Sequence, residues 1–182
     1  MLRMLLWMVR QIFLDCDGVL ADFDSLAIDV FGRHPREAQD LLGTAEFWRL
    51  IQLHGEFYRD LPIMAGAIEL YEAVAHLNPI ILTGCPRGGW SEPQKVAWAA
   101  HHFPGVRIIT CPSKDKYLHM LNAGDVLVDD YLRYKDLWLA AGGVFVHHVS
   151  AEVSIHRLAD FGLPVRGQSA SECDAAAMQN AK

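Results

Sequence analysis

Five short apolar runs, separated by stretches of helical periodicity, constrain this chain more than any other feature. They are Ile12-Phe13-Leu14, the strand of residues 79–83, Val106 to Thr110, residues 125–128, and Val144-Phe145-Val146. Continuous rather than alternating apolarity in so short a run is the signature of a strand covered on both faces. Between the runs lie apolar positions at helical spacing: residues 65–77, with Ala67, Leu70, Val74 and Leu77 on one side, then residues 91–102, 114–122 and 132–141. Pro93 is tolerated there because it falls in a first helical turn. Alternation of this kind predicts a parallel sheet with helices on both faces. In such sheets ligands bind beyond the carboxyl ends of the strands.

The polar residues collect at those ends. Asp15-Cys16-Asp17-Gly18 follows the first run, and the two carboxylates reach one cleft because the chain turns there. Paired acids are costly to desolvate without a cation or a catalytic task, although an Asp-x-Asp by itself is also a common turn or helix cap. Thr83-Gly84 ends the second run, where a hydroxyl and backbone N–H groups suit phosphate oxygens. Ser113-Lys114-Asp115-Lys116 follows the third run, and Asp129-Asp130 closes the fourth.

Residues 19–62 interrupt the alternation. Leu20, Phe23, Ala27, Val30 and Phe31 recur at helical spacing, a second helix is expected over residues 35–42, and a third over residues 46–53. The predicted organisation is therefore an α/β core of residues 9–18 and 63–165, a small helical cap of residues 19–62, and a flexible tail of residues 167–182.

Charge and cysteine usage narrow the class. Of 182 residues 52% are hydrophobic and 21% charged, a globular balance. The net charge of −6 argues against nucleic acid polymers and anionic membranes as partners, so any phosphorylated ligand must be drawn by local cations. Cys16, Cys85, Cys111 and Cys173 lack C-x-x-C spacing and read as reduced, cytoplasmic thiols. The apolar start, Met1 to Met8, is broken by Arg3 and lacks a small-residue cleavage site, so export is not expected; Met8 is an alternative start. The pairs His101-His102 and His147-His148 diverge on either element type and read as surface residues. Lys95 and Arg87 are each assigned to the surface rather than to a substrate.

Asp-x-Asp, Thr, Lys and Asp-Asp, each after its own strand, resemble the four motifs of the haloacid dehalogenase (HAD) superfamily, with its Rossmannoid sheet. Leu14 to Phe23, Leu-Asp-Cys-Asp-Gly-Val-Leu-Ala-Asp-Phe, is similar to the 5′(3′)-deoxyribonucleotidases in particular. That similarity continues through Phe47-Trp48, Phe57-Tyr58, residues 61–67, Lys95 to Trp98, Asp115-Lys116 and residues 125–130. The resemblance implies a phosphomonoester hydrolase in which nucleophilic Asp15 forms an aspartyl-phosphate. Asp17 is then the acid and base, an acid that the true dehalogenases lack. Thr83 and the Gly84 N–H would bind the phosphoryl group, and Lys116, preferred to Lys114, would supply the cation. Mg²⁺ is the implied cofactor, held by Asp15, the Asp17 carbonyl and Asp130, with Asp129 on it or behind it.

Aromatic residues equivalent to Phe23, Trp48 and one of Phe57 or Tyr58 would line a base pocket, or else pack the cap's own core. The implied partner is a small phosphorylated metabolite such as a deoxyribonucleoside monophosphate, with a homodimer possible. The chain departs from that family in having Thr83-Gly84-Cys85-Pro86 where Thr-Ser-Pro is usual, and in its shorter cap. Open alternatives are a phosphatase for a sugar phosphate or other metabolite, a phosphotransferase, and a non-catalytic binding domain of the same fold.

Overall fold

The computed structural model describes residues 10–167. Five parallel strands form one sheet: β1 (Ile12–Leu14), β2 (Ile80–Gly84), β3 (Ile108–Cys111), β4 (Val126–Asp129) and β5 (Val144–His147). Their spatial order is β3-β2-β1-β4-β5. From β1 the chain winds outward through β2 to β3, then crosses back to place β4 on the other side of β1. The switch in direction falls between β1 and β4, which is where a sheet of this kind opens a crevice.

Each face of the sheet has its own apolar layer. Ile12, Leu14, Ile81, Val126 and Val128 share one cluster with Leu70 and Val74 of α4 (Ala67–Val74), Trp98 of α5 (Ser91–His102) and Leu158 of α7 (Ala151–Asp160). Phe13, Ile80, Leu82 and Leu127 meet Trp138 of α6 (Lys135–Ala140) on the opposite face. Phe13 and Trp138 pack edge to face, ring centroids 5.4 Å apart. The Trp138 Nε1–H stays satisfied in this layer by donating to the Val144 carbonyl at 3.0 Å. Both faces are covered, which is why the strands carry no polar alternation.

The insert after β1 is helical as expected: α1 (Phe23–Phe31), α2 (Pro35–Leu42) and α3 (Thr44–Leu53). Asp22 caps α1 by accepting from the Ser25 N–H at 3.0 Å, and Gly32 ends it in the left-handed region. Pro35 opens α2, where its missing N–H costs nothing. The two stems of the insert are laced together, Asp22 N–H to the Pro62 carbonyl at 2.8 Å and Met64 N–H to the Leu20 carbonyl at 2.9 Å.

Several expected boundaries need correction. The third strand begins at Ile108 rather than Val106, because β2 reaches its register with β3 only from Ile81↔Ile108 onward. Residues 114–122 do not form an α-helix; a 3₁₀ helix spans Ser113–His119 and stops where the Leu121 and Asn122 N–H groups bind the Asp125 carboxylate, each at 2.8 Å. The region of residues 132–141 divides into a 3₁₀ turn and α6. Helix α7 was not foreseen, since its apolar positions are few and His147-His148-Val149-Ser150 precedes them. The His pair at 147–148 is not a surface pair: His148 is buried, and its Nδ1 lies 2.8 Å from the Ser154 hydroxyl of α7. The N-terminal Met1 to Met8 and nearly all of the tail, including Cys173, lie outside the described residues. Cys16, Cys85 and Cys111 are free thiols. Among the described residues no helix is long and apolar enough to cross a membrane.

Candidate active site

Four strand ends converge on one crevice. Asp15, the first residue past β1, is buried; its N–H donates to the Val128 carbonyl of β4 at 2.9 Å. Its Oδ1 accepts from the Cys16 N–H at 2.8 Å and lies 2.9 Å from Lys116 Nζ. Lys116 donates also to Asp129 Oδ2 at 2.6 Å, while Asp129 Oδ1 accepts from the Tyr131 N–H at 2.8 Å. Lys116 is buried and Lys114 is exposed, so the 3₁₀ helix presents Lys116, and not Lys114, to the acids. Burial works to lower the Lys116 pKa, but Asp15 and Asp129 over-compensate and leave it raised.

Carboxylate oxygens of Asp15, Asp129 and Asp130 all lie within 4.8 Å of one another. Burial, reinforced by the charges of Asp15 and Asp129, pushes Asp130 up to about 7. Burial and the Asp15 charge push Asp129 up to about 6, against the pull of Lys116. Such a set of hard oxygen donors, crowded beyond what one lysine neutralises, suits a divalent cation such as Mg²⁺. The backbone is shaped to the same end. Gly18 has φ +77°, and a Cβ there would stand 2.5 Å from the Asp130 carboxyl carbon, so only glycine lets the Asp17-Gly18 turn approach that carboxylate.

On the other side of Asp15 stands a second buried cation. Lys95 is 1% exposed, which overturns its assignment to the surface. Its Nζ donates to Asp17 Oδ2 at 2.5 Å, to Thr83 Oγ1 at 3.0 Å and to the Gly84 carbonyl at 2.8 Å. Burial pushes Asp17 up and Lys95 opposes it; the same pair leaves Lys95 raised despite its own burial. Asp17 Oδ1 is buried with no hydrogen-bond partner among the described residues. Lys95 was missed because a lone lysine on α5 looks like a solvated one. The available signal was its position five residues into a helix flanked by Trp98 and Ala99, on the face that packs against the sheet. Arg87 is exposed.

Gly84 also has a packing partner that spacing does not reveal. A Cβ at Gly84 would fall 2.0 Å from Ser113 Oγ, so the start of the 3₁₀ helix presses directly on the end of β2. Thr83 itself is fully buried, its hydroxyl held by Lys95.

The insert gathers a cluster of aromatic rings, one of which, Tyr58, lies beside Lys95. Phe23 contacts Trp48, Phe57 and Tyr58 at centroid distances of 6.3, 5.3 and 6.2 Å. The four residues are brought together, but not equivalently: Phe23 and Trp48 are half-buried, whereas Phe57 and Tyr58 are enclosed. Phe47 stacks on Phe31 at 4.8 Å within the insert's own core. Trp90, unremarked in the sequence, adds a further ring 5.6 Å from Tyr58.

No protein-family model matches the chain, and no curated protein matches it in sequence. Solved structures do match in shape. A hydrolase from Pseudomonas syringae superposes with a TM-score of 0.51 at 14% identity, over 81% of this chain and 89% of that one. A HAD-superfamily hydrolase from Ehrlichia chaffeensis gives 0.51 at 13% identity, over 83% and 96%. The L-2-haloacid dehalogenase from Xanthobacter autotrophicus, with chloropropionic acid covalently bound, gives 0.51 at 17% identity, over 84% and 83%. At such identities the likeness speaks for architecture: this chain has the haloacid dehalogenase fold, a five-stranded parallel Rossmann-like sheet with helices around it.

Proposed function

We propose that the protein is a Mg²⁺-dependent phosphomonoester hydrolase working through an aspartyl-phosphate on Asp15. The observation that carries the reading is the placement of Asp15 between two lysine-centred groups, Lys116 with Asp129 on one side and Lys95 with Asp17 and Thr83 on the other. A nucleophilic carboxylate needs such surroundings, because the group it attacks is itself anionic.

In the first step an Asp15 oxygen bonds to phosphorus while the bond from phosphorus to the leaving oxygen breaks. The electron pair stays on that oxygen, which takes a proton from the Asp17 carboxyl. In the second step Asp17 takes a proton from water as the water oxygen bonds to phosphorus, and the Asp15–phosphorus bond breaks. Lys116 holds the Asp15 carboxylate in place, and the Cys16 N–H fixes the orientation of its Oδ1. Asp15, Asp129, Asp130 and the Asp17 carbonyl would hold Mg²⁺, which supplies charge neutralisation for the meeting of two anions. The presence of an acid at Asp17 favours an oxygen leaving group over a halide, which needs no proton.

The substrate favoured by the half-buried Phe23 and Trp48 is one with a flat leaving group, a deoxyribonucleoside monophosphate by the sequence resemblance. Stacking of a base on such rings is worth roughly 1–3 kcal/mol. The test is phosphate release from nucleoside 5′- and 3′-monophosphates and sugar phosphates, with and without Mg²⁺, beside Asp15→Asn. Metal-dependent turnover of deoxynucleotides that Asp15→Asn abolishes is the expected result. Turnover of sugar phosphates alone would discard the nucleotide, and no turnover of any ester would refute the phosphatase reading.

A further inference from the structure

Lys95 has three N–H donors, and all three are engaged: Asp17 Oδ2, Thr83 Oγ1 and the Gly84 carbonyl. None is left for a substrate. Beside these partners Nζ faces the ring of Tyr58, whose centroid lies 4.4 Å away. An ammonium over an aromatic face is attracted by the ring quadrupole, most strongly where water is excluded, and both residues are 1% exposed.

The backbone that carries the ring is held in place from α5 itself. The Gln94 side chain accepts from the Tyr58 N–H at 2.9 Å and donates to the Gly55 carbonyl at 2.8 Å. Trp98, one turn further along α5, donates to the Leu61 carbonyl at 2.7 Å. The return segment of the insert, residues 55–61, is thereby pinned to the same helix that carries Lys95. Phe57 and Trp90 flank the Tyr58 ring at 5.4 and 5.6 Å and leave it little freedom to turn.

We propose that Tyr58 is a positioning residue for proton transfer rather than a wall for the leaving group. Its ring face holds Lys95, Lys95 holds Asp17 Oδ2, and Oδ1 is left as the oxygen that carries the proton. This inference rests on the reading of Asp17 as the acid. The useful part of Tyr58 is then the aromatic face and not the hydroxyl.

The test uses kcat/KM for phenyl phosphate, whose leaving oxygen needs a proton, against p-nitrophenyl phosphate, whose leaving group departs without one. Both present similar rings, so loss of stacking moves them together, while loss of proton transfer moves only the first. General acid catalysis contributes about 10²–10⁴-fold, so misplacing the acid is expected to cost part of that on phenyl phosphate. Tyr58→Leu is expected to lose about tenfold there, a part of that contribution, and little on the nitrophenyl ester. Tyr58→Phe keeps the ring face and is expected to behave as the wild type on both. Equal losses on the two esters, or a phenylalanine variant as poor as the leucine one, would overturn the proposal.

Should Tyr58→Leu give no cooperative melt, Gln94→Ala decides by the same comparison, since it loosens the Tyr58 backbone without removing the ring. Asp17→Asn separates the two levels of the argument. If it does not discriminate between the esters, Asp17 is not the acid and that part of the proposed mechanism fails. If it discriminates and the Tyr58 and Gln94 variants do not, the positioning role alone fails.

Discussion

Replacing Gly84 by alanine should displace Lys116 without touching it. Gly84 does not sit at positive φ, so the added methyl group carries no backbone penalty and its effect is purely steric. The new Cβ would meet Ser113 Oγ at 2.0 Å, Ser113 Cβ at 3.0 Å and Ser113 Cα at 3.3 Å. The hydroxyl can swing away, but the Cβ and Cα can withdraw only if the backbone moves. Overpacking of this kind costs about 1–3 kcal/mol. For a domain of this size each kcal/mol is about 2–4 °C of Tm, so a fall on the order of 5 °C is expected. Ser113 opens the 3₁₀ helix that carries Lys116, whose Nζ stands 2.9 Å from Asp15. Misplacement by a fraction of an ångström should therefore lower kcat/KM, by up to about 100-fold if it approaches 1 Å. Ser113→Gly removes both the hydroxyl and the Cβ, leaving only the 3.3 Å contact, so the double variant should regain most of both losses. Thermal unfolding and kcat/KM of the four proteins in the cycle give the coupling, expected at about 1 kcal/mol or more. Simple additivity, or a Gly84→Ala protein indistinguishable from wild type, would refute the packing argument.

Three further outcomes follow from the acid cluster. Gly18→Ala combines a left-handed φ, costing roughly 1–2 kcal/mol, with a Cβ 2.5 Å from the Asp130 carboxyl, so the Mg²⁺ concentration for half-maximal activity should rise about 10–100-fold in a titration. Asp129 and Asp130 have folded pKa values raised to about 6 and about 7, so their contribution to stability is complete below about 4 and is lost as pH rises through those values. In EDTA the Tm should accordingly drop between about pH 4 and 7, and the stabilisation by added Mg²⁺ should grow as the folded-state carboxyls ionise, between about pH 5 and 8; a Mg²⁺ increment independent of pH would contradict the assignment. Lys116→Met leaves Asp15 and Asp129 facing each other unpaired, and chemical denaturation at neutral pH in EDTA should show a loss of about 3–5 kcal/mol.

The sheet was legible because burial on both faces leaves nothing for a strand to do but be apolar. Ile12 to Leu14 and Val126 to Val128 are essentially inaccessible, and runs so uniform have few other readings. The insert was legible for the opposite reason: Asp22, Gly32, Pro35 and Gly43 punctuate its helices at their ends. What the sequence concealed depends on contacts between distant residues. The 3₁₀ helix at residues 113–119 stops short because Asp125, within the next strand motif, captures two N–H groups ahead of it. Helix α7 is fixed by tertiary packing, with Ala151 so close to Gly66 that a Cβ there would stand 2.6 Å away.

The candidate site divides in the same way. Acids at strand ends announce themselves by their repetition: one Asp-x-Asp is an ordinary turn or cap, but Asp15-x-Asp17 and Asp129-Asp130 each follow a separate apolar run. A buried lysine does not, because its sequence neighbourhood is that of any amphipathic helix. Lys95 is 78 residues from Asp17 along the chain, and only the winding of β1, β2 and α5 around one crevice joins them. The consequence reaches the insert. If the aromatic residues of residues 19–62 served only the leaving group, their contacts would end at the crevice; instead Tyr58 extends past it to the face of Lys95 and is clasped by Gln94. Movement of the insert at that segment must disturb Lys95, and through it Asp17. Opening of α1 to α3 is therefore expected to pivot near Asp22 and between Leu53 and Gly55, with residues 55–61 staying on α5. On the proposed function, this arrangement leaves α1 to α3 to the substrate while residues 55–61 keep Asp17 in place.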